Sequence, residues 1–443
     1  MSSYVVGNLT IAGMSGAEAE TKAQLFATLK QQLTAGNSAD IMRWFVPGRI
    51  EVLGKHTDYA GGRSLLCTAE RGFCVAAVPR DDSLVRVNDV ARHQGFEFTI
   101  SPQLKVPSSS WQLYAAVVAR RLARNFPGAV HGADIALASD LPSAAGMSSS
   151  SALVVAIYAV LSAVSRIDER EEFQANIRSL EDLAGYLGCI ENGQTFKSLT
   201  GDAGVGTFGG SEDHTAILCS EAGKLKQYSF CPVRLERTVA FSHDCRFVIG
   251  VSGVVADKTG SAKERYNRAS QGVRSILKIW RSVSGANAAT LAEAATSSLD
   301  ARERIRAVLR EADKQDSTWL EDRFDQLWSE SEVIIPQAGN ALAGHDLEGF
   351  GQLVAESQAG AETLLRNQVP ETMWLVREAL ALGAHAASAF GAGFGGSVWA
   401  LVSRNRADEF VECWREAYLT SQFHAARSSQ FFVTAPGPPM VRL

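Results

Sequence analysis

Apolar positions alternate with polar ones early in the chain and recur at helical spacing later. Residues 18–35 (EAETKAQLFATLKQQLTA) carry apolar side chains at three- and four-residue intervals, which predicts an amphipathic helix closed by Gly36. From Met42 the run MRWFVPGRIEVLG is interrupted at Pro47-Gly48 and predicts two short strands around a turn. Leu65–Val78 and Val85–Val87 continue the strand character. Trp111–Leu122 (WQLYAAVVARRL) reads as a helix with Tyr114, Val117 and Val118 on one face, and Ala133–Ala138 alternates like a strand. After LPSAAGMSSSS comes a strongly apolar helix, ALVVAIYAVLSAV. Cys245–Val251 reads as a buried strand, and Gly260 to Ala359 as mostly helical. Met373–Gly383 adds a helix, and a glycine loop at Gly391–Gly396 leads into the strand Val398–Val402. Strands mixed with helices come first and a helix-rich half follows. This predicts an α+β fold of two lobes, residues 1–235 and 236–443.

Composition narrows the function classes. Of 443 residues, 46% are hydrophobic and 21% charged, and the net charge is -5 with no long run of one sign. That argues against a nucleic-acid or membrane-surface partner. The seven cysteines form no C-x-x-C pair and the eight histidines show no H-x-x-x-H spacing, so neither a disulfide framework nor a zinc site is expected. A reducing, cytoplasmic setting fits best. The N-terminus has no basic region followed by a long apolar core, so no signal peptide is expected, and no apolar run is long enough for a membrane span.

Three stretches carry candidate chemistry. In DLPSAAGMSSSSAL (140–153), small residues precede serines at the start of an apolar helix. Unpaired N–H groups and partial positive charge at a helix N-terminus favour an anion such as phosphate, whereas serine is also a good N-cap, so both readings stand on this stretch alone. No Walker loop occurs in the chain. In GTFGGSEDHTAIL (206–218), Glu212, Asp213 and His214 adjoin between a glycine pair and apolar residues; a catalytic base or a carboxylate at a hairpin or helix start both fit. The third stretch, AFGAGFGGS (389–397), is by itself a glycine turn.

Taken in order with the earlier PGRIEVLGKHTDYAGG, these stretches resemble the sugar-kinase branch of the GHMP kinases, most closely the galactokinases, over nearly the whole chain. The first resembles P-G-R-V-N-L-I-G-E-H-T-D-Y-N-G-G, the second P-x-G-x-G-L-S-S-S-A, the third the segment ending M-D-Q, the fourth G-G-G-F-G-G. Trp111 to Tyr114 also resembles the family's W-x-x-Y. The resemblance implies a two-lobed GHMP kinase fold: a ribosomal-protein-S5-like N-terminal lobe, a ferredoxin-like C-terminal lobe and an active site in the cleft. It implies an ATP-dependent sugar 1-kinase acting on galactose, as a monomer.

By the same resemblance, Asp213 is the catalytic aspartate. Arg49 is the arginine that keeps it ionised and balances charge on the phosphoryl group. Glu191 binds Mg2+ with a hydroxyl from the loop, for which Ser149 is the candidate. Ala144, Ala145, Gly146, Met147, Ser148, Ser149 and Ser150 cradle the ATP phosphates, with Trp111 and Tyr114 near the base. Lys55, His56, Asp58, Gly210 and Tyr266 line the sugar pocket.

The chain departs from the pattern in several places. Lys55 stands where the family has a glutamate that reads the sugar's sixth-carbon hydroxyl. An ammonium pairs better with a carboxylate, so a uronic acid such as galacturonate is an alternative substrate if Lys55 faces the pocket; it could instead turn outward or pair with Glu212. Ala144 replaces a glycine, which a negative φ would accommodate. Residues 192–212 are longer than the pattern and Gly-rich, suggesting a lid. A non-catalytic sugar and nucleotide sensor, or a kinase for a non-sugar alcohol such as mevalonate, are the remaining alternatives. The first would be favoured by loss of Asp213, Arg49 or the serine loop, all of which are present, and the second is opposed by the H-T-D-Y cluster.

Overall fold

A computed structural model describes residues 2–33, 41–108, 110–128, 131–255, 263–312 and 317–443. Its first sheet is built from β1 (Met42–Leu53), β2 (Arg63–Pro79), β3 (Leu84–Asp89), β4 (Gln94–Thr99), β5 (Ala133–Ser139), β6 (Lys224–Ser229) and β7 (Arg234–Ala240). The second holds β8 (Cys245–Val251), β9 (Ala386–Phe390), β10 (Ser397–Ser403) and β11 (Gln430–Thr434), ordered β11-β8-β10-β9 and antiparallel throughout. The last strand, β12 (Val441–Arg442), returns to the first sheet beside β1, giving the order β12-β1-β2-β5-β3-β4 with β6 and β7 branching from β2. The long β2 makes the branch possible: Arg63–Leu66 pairs with β6 and Phe73–Pro79 with β5.

Side-chain alternation divides the first sheet between two cores. Phe45, Cys74, Ala76, Ala136 and Ala138 pack with Phe26 and Leu29 of the Gly16–Leu33 helix. Trp44, Val46, Val75, Ala77, Ile135 and Leu137 face the opposite way, into the core of the helices Gln112–Asn125 and Ser149–Ser165. With both faces covered, β1 is buried from Trp44 onward.

The structure corrects one expected break. Pro47-Gly48 does not separate two strands; β1 runs through it with a register shift between Pro47 and Arg49. Proline, which lacks a ladder donor, fits such an irregularity. Gly48 lets the chain pass under the serine loop, since a Cβ there would lie 2.5 Å from Leu141 Cδ2 and 3.0 Å from the Met147 carbonyl oxygen.

The expected helices and the strand at Cys245–Val251 are found, though the closing Gly36 and the start of the helical half at Gly260 lie outside the described residues. In that half a π-helical stretch, Ser329–Ile334, carries Glu330 to the junction between the sheets. Among the described residues no helix is long and apolar enough to cross a membrane.

Candidate active site

Period-two alternation along β1 aims Arg49 and Glu51 to the same side, where both line a cavity. Arg49 Nη2 lies 2.5 Å and Nε 2.8 Å from Asp213 Oδ1, so the guanidinium grips one carboxylate oxygen with two donors. Glu51 and Glu212 each stand 3.6 Å from Arg49, and its Nη1 also donates to the Gly146 carbonyl at 3.3 Å. Burial works against the charge on Arg49, but the attraction of Asp213, Glu51 and Glu212 outweighs it and raises its pKa.

Asp213 sits in the first turn of the Glu212–Cys219 helix. Glu191 lies near the end of the Leu180–Asn192 helix, which stops at Gly193 in the left-handed conformation. Between them stands Ser151, whose hydroxyl is 2.8 Å from Glu191 Oε2 and 3.2 Å from Asp213 Oδ2. The side chain that reaches Glu191 is thus Ser151, two residues further into the helix than Ser149, the hydroxyl the resemblance implies for magnesium. His214 Nε2 lies 3.1 Å from the same Glu191 oxygen. Magnesium needs only one or two protein oxygens beside phosphates and water, and the donors here fit that demand: a buried carboxylate, the Ser151 hydroxyl and a buried Ser148 hydroxyl without a partner among the described residues.

The serine loop is held from two sides. Arg49 N donates to the Met147 carbonyl, and Ser397 Oγ of β10 donates to the Ala145 carbonyl at 2.6 Å. Gly146 has φ +75°, and a Cβ there would meet the Phe390 carbonyl at 3.0 Å. Ala144 has φ +48°, so the negative φ that would accommodate an alanine is not met and the residue occupies left-handed backbone. Ser148, the N-cap of the Ser149–Ser165 helix, is also left-handed, at φ +59°.

The H-T-D-Y turn reaches the same cavity. Asp58 accepts from Tyr59 N at 2.8 Å and Glu212 N at 3.1 Å, which fixes its carboxylate against Gly210; a Cβ on Gly210 would lie 2.3 Å from Asp58 Oδ2. His56 lines the cavity, yet both its ring nitrogens have protein partners: Tyr59 Oη at 2.8 Å and the Ala392 carbonyl at 3.0 Å. Its ring lies beside that of Tyr266, centroids 5.2 Å apart. Tyr266 lines the cavity and burial pushes its pKa well up; burial likewise pushes Tyr59 up to about 12, against the opposing pull of Arg323.

Lys55 behaves otherwise. Its ammonium turns away from the cavity and donates to Ser357 Oγ at 3.0 Å and Ser388 Oγ at 2.8 Å. Ser357 in turn donates to Glu330 Oε1, which also accepts from Gly54 N at 2.8 Å. Of the placements open to Lys55, the structure shows the one turned away from the cavity: four-carbon reach and two hydroxyl acceptors draw it across the lobe junction.

Trp111 and Tyr114 do not line this cavity. Trp111 Nε1 donates to Gln94 Oε1 at 2.9 Å and its ring meets Phe96 edge-on. Residues 192–212 divide in two. The outer part is fastened to the Gln112–Asn125 helix, with Arg121 donating to the Gln194 carbonyl at 2.6 Å and Arg120 paired with Asp202 at 2.7 Å. The inner part crosses the cleft: Asn267 bonds Phe208 N and the Gly206 carbonyl, Asn192 bonds Gly209 N and the Gly210 carbonyl, and Thr207 lines the cavity.

Ser151, Glu51, Thr207 and Asn192 also line the cavity, beyond the residues that the motifs mark as the site. The alternation from Arg49 was the signal for Glu51; no local pattern marks the others.

Residues 33–79 match the galactokinase galactose-binding signature, 113–192 the N-terminal domain of the GHMP kinases and 340–419 their C-terminal domain. A galactokinase of Chloroflexus aurantiacus is 30% identical over 374 residues, covering 84% of this chain and 86% of that protein. A galactokinase of Chloroflexus aggregans is 29% identical, with the same coverage. The fold is similar to that of Lactococcus lactis galactokinase crystallised with galactose, at a TM-score of 0.77 and 22% identity, covering 95% of this chain and all of that one. A mevalonate kinase gives 0.52 at 12% identity, covering 90% of this chain and all of the other.

Proposed function

The chain belongs to the galactokinase family of the GHMP kinases, and from that premise we propose that it converts galactose and ATP into galactose 1-phosphate and ADP. The observation that carries this reading is the Arg49–Asp213 pair, closed at 2.5 Å inside a cavity shared by the galactose signature and the segment of the catalytic aspartate. An ion pair with a guanidinium favours the carboxylate form of an acid. Asp213 then takes the proton of the anomeric hydroxyl as its oxygen attacks the γ-phosphorus. A bond from that oxygen to phosphorus forms, the bond to the β-phosphate oxygen breaks and ADP leaves. Arg49, also in reach of the Gly146 carbonyl, places positive charge where the transferring group must pass.

The serine loop would hold the phosphates, and Glu191 with Ser151 or Ser148 would hold magnesium, whose charge offsets that of the nucleotide. Asp58, Gly210, Thr207 and Tyr266 would shape the sugar site. Lys55 turns away from it, which removes the reason for preferring an acidic sugar. Intact Arg49, Asp213 and Glu191 in one cavity support catalysis over a sensing role. Incubation with ATP and a panel of galactose, glucose, arabinose, fucose and galactosamine, read by phosphorus NMR, tests this reading. It expects the anomeric phosphate of galactose as the main product; folded protein that binds ATP but makes no sugar phosphate would overturn it.

A further inference from the structure

Two buried carboxyls flank Arg49 with more negative charge than one guanidinium can match. Glu51 comes from β1 and Glu212 from the helix start, and both are about one-twentieth exposed or less. The family patterns quoted above carry asparagine and methionine at these two positions. Glu212 Oε2 accepts from Ser64 Oγ at 2.7 Å, but Glu51 Oε1 and Glu212 Oε1 find no donor among the described residues. The two carboxyls stand against the same guanidinium, Glu51 Oε2 3.6 Å from Arg49 Nη2 and Glu212 Oε1 3.6 Å from Arg49 Nε. Two carboxylates can only accept, so buried oxygens placed this way gain a donor only if one of the two carboxyls holds a proton.

We propose that Glu51 and Glu212 share a single proton and act as a positioning pair for Arg49, keeping the guanidinium available to Asp213 and the phosphoryl group. The inference rests on the reading of Arg49 and Asp213 given above. With one proton shared, the pair carries one negative charge; when that proton leaves, it carries two and sets Arg49 against an excess of carboxylates. The groups facing the pair agree with this. Glu51 lies in the field of Arg49, Lys55 and Asp213, and Glu212 in that of Arg49, Asp58 and Asp213, with Tyr59 and Cys67 the neighbouring titratable groups. Burial raises both carboxyls, Glu212 well up, and Glu51 raises Glu212 further by like-charge repulsion, while Arg49 opposes both shifts.

The test compares wild type with Glu51→Gln and Glu212→Gln, whose amide N–H can replace the shared proton, and with Glu51→Leu, which cannot. Two measurements are made across pH: single-turnover phosphoryl transfer and thermal midpoint. Raised carboxyls bind a proton in the folded state that the unfolded chain gives up. Their stabilisation is complete at acid pH, below the ordinary carboxylate pKa, and is lost as pH rises through the folded value. Wild-type stability should therefore fall with rising pH more steeply than that of either glutamine variant. Wild-type transfer should lose about tenfold per pH unit once the pair ionises, and both glutamine variants should lack that limb. Glu51→Leu should be slowed at every pH. Equal pH dependence of the midpoint in wild type and both glutamine variants overturns the shared proton, as does a glutamine variant that keeps the alkaline limb. The midpoint comparison does not depend on turnover, so it fails or stands apart from the proposed reaction.

Discussion

Arg49 and Lys55 occupy one strand-to-turn segment, and both are buried cations, 3% and 1% exposed. Their surroundings differ in kind. Arg49 meets Asp213, Glu51 and Glu212, lines the cavity and touches the serine loop. Lys55 meets two serine hydroxyls, one of them bonded to Glu330, and is absent from the cavity lining. The first is a cation held by carboxylates at the wall of an open cavity. The second is a closed network that ties the H-T-D-Y turn to β9 and the Leu347–Gly360 helix. A charged residue inside a functional motif can thus serve the junction rather than the ligand.

The comparison can be broken at either end. Asp213→Asn removes the proton acceptor while leaving Arg49 a hydrogen-bond partner, and should lower kcat by about a hundred- to ten-thousandfold with nucleotide affinity kept. A kcat within about threefold of wild type, under 1 kcal/mol of barrier, would take Asp213 out of that role. Lys55→Glu restores the family's residue but sets a second carboxylate in the network of Glu330 without a cation. It should destabilise the protein by about 3–5 kcal/mol in denaturant unfolding, and unchanged stability would show that position 55 reaches the cavity after all. Lys55→Met should cost about 1–3 kcal/mol, since Ser357 and Ser388 lose a donor. Ala144→Gly should have the smallest effect, a gain of about 1 kcal/mol from relieving left-handed backbone, read as a higher thermal midpoint.

The order of strands and helices was legible because hydrophobic period distinguishes β1 and β2 from the later helices. Pro47-Gly48 misled because a proline inside a strand looks like a break until the register shift that accommodates it is seen. Arg49, Asp213 and Glu191 were legible through their motifs. Lys55 was not, because motif position fixes the backbone and not the direction of a long side chain, and its partners Ser357 and Ser388 lie far along the chain. Ser151 was missed for a related reason: which of four consecutive serines meets Glu191 depends on helix phase, which the repeat conceals.

The most direct measurement is phosphoryl transfer to galactose and to galacturonate by wild type and Lys55→Met, each assayed as folded protein. Galactose should be phosphorylated by both, with the variant within about threefold of wild type, and galacturonate should stay at background. Preferential turnover of galacturonate, abolished by Lys55→Met, would place the ammonium in the sugar site and contradict the account.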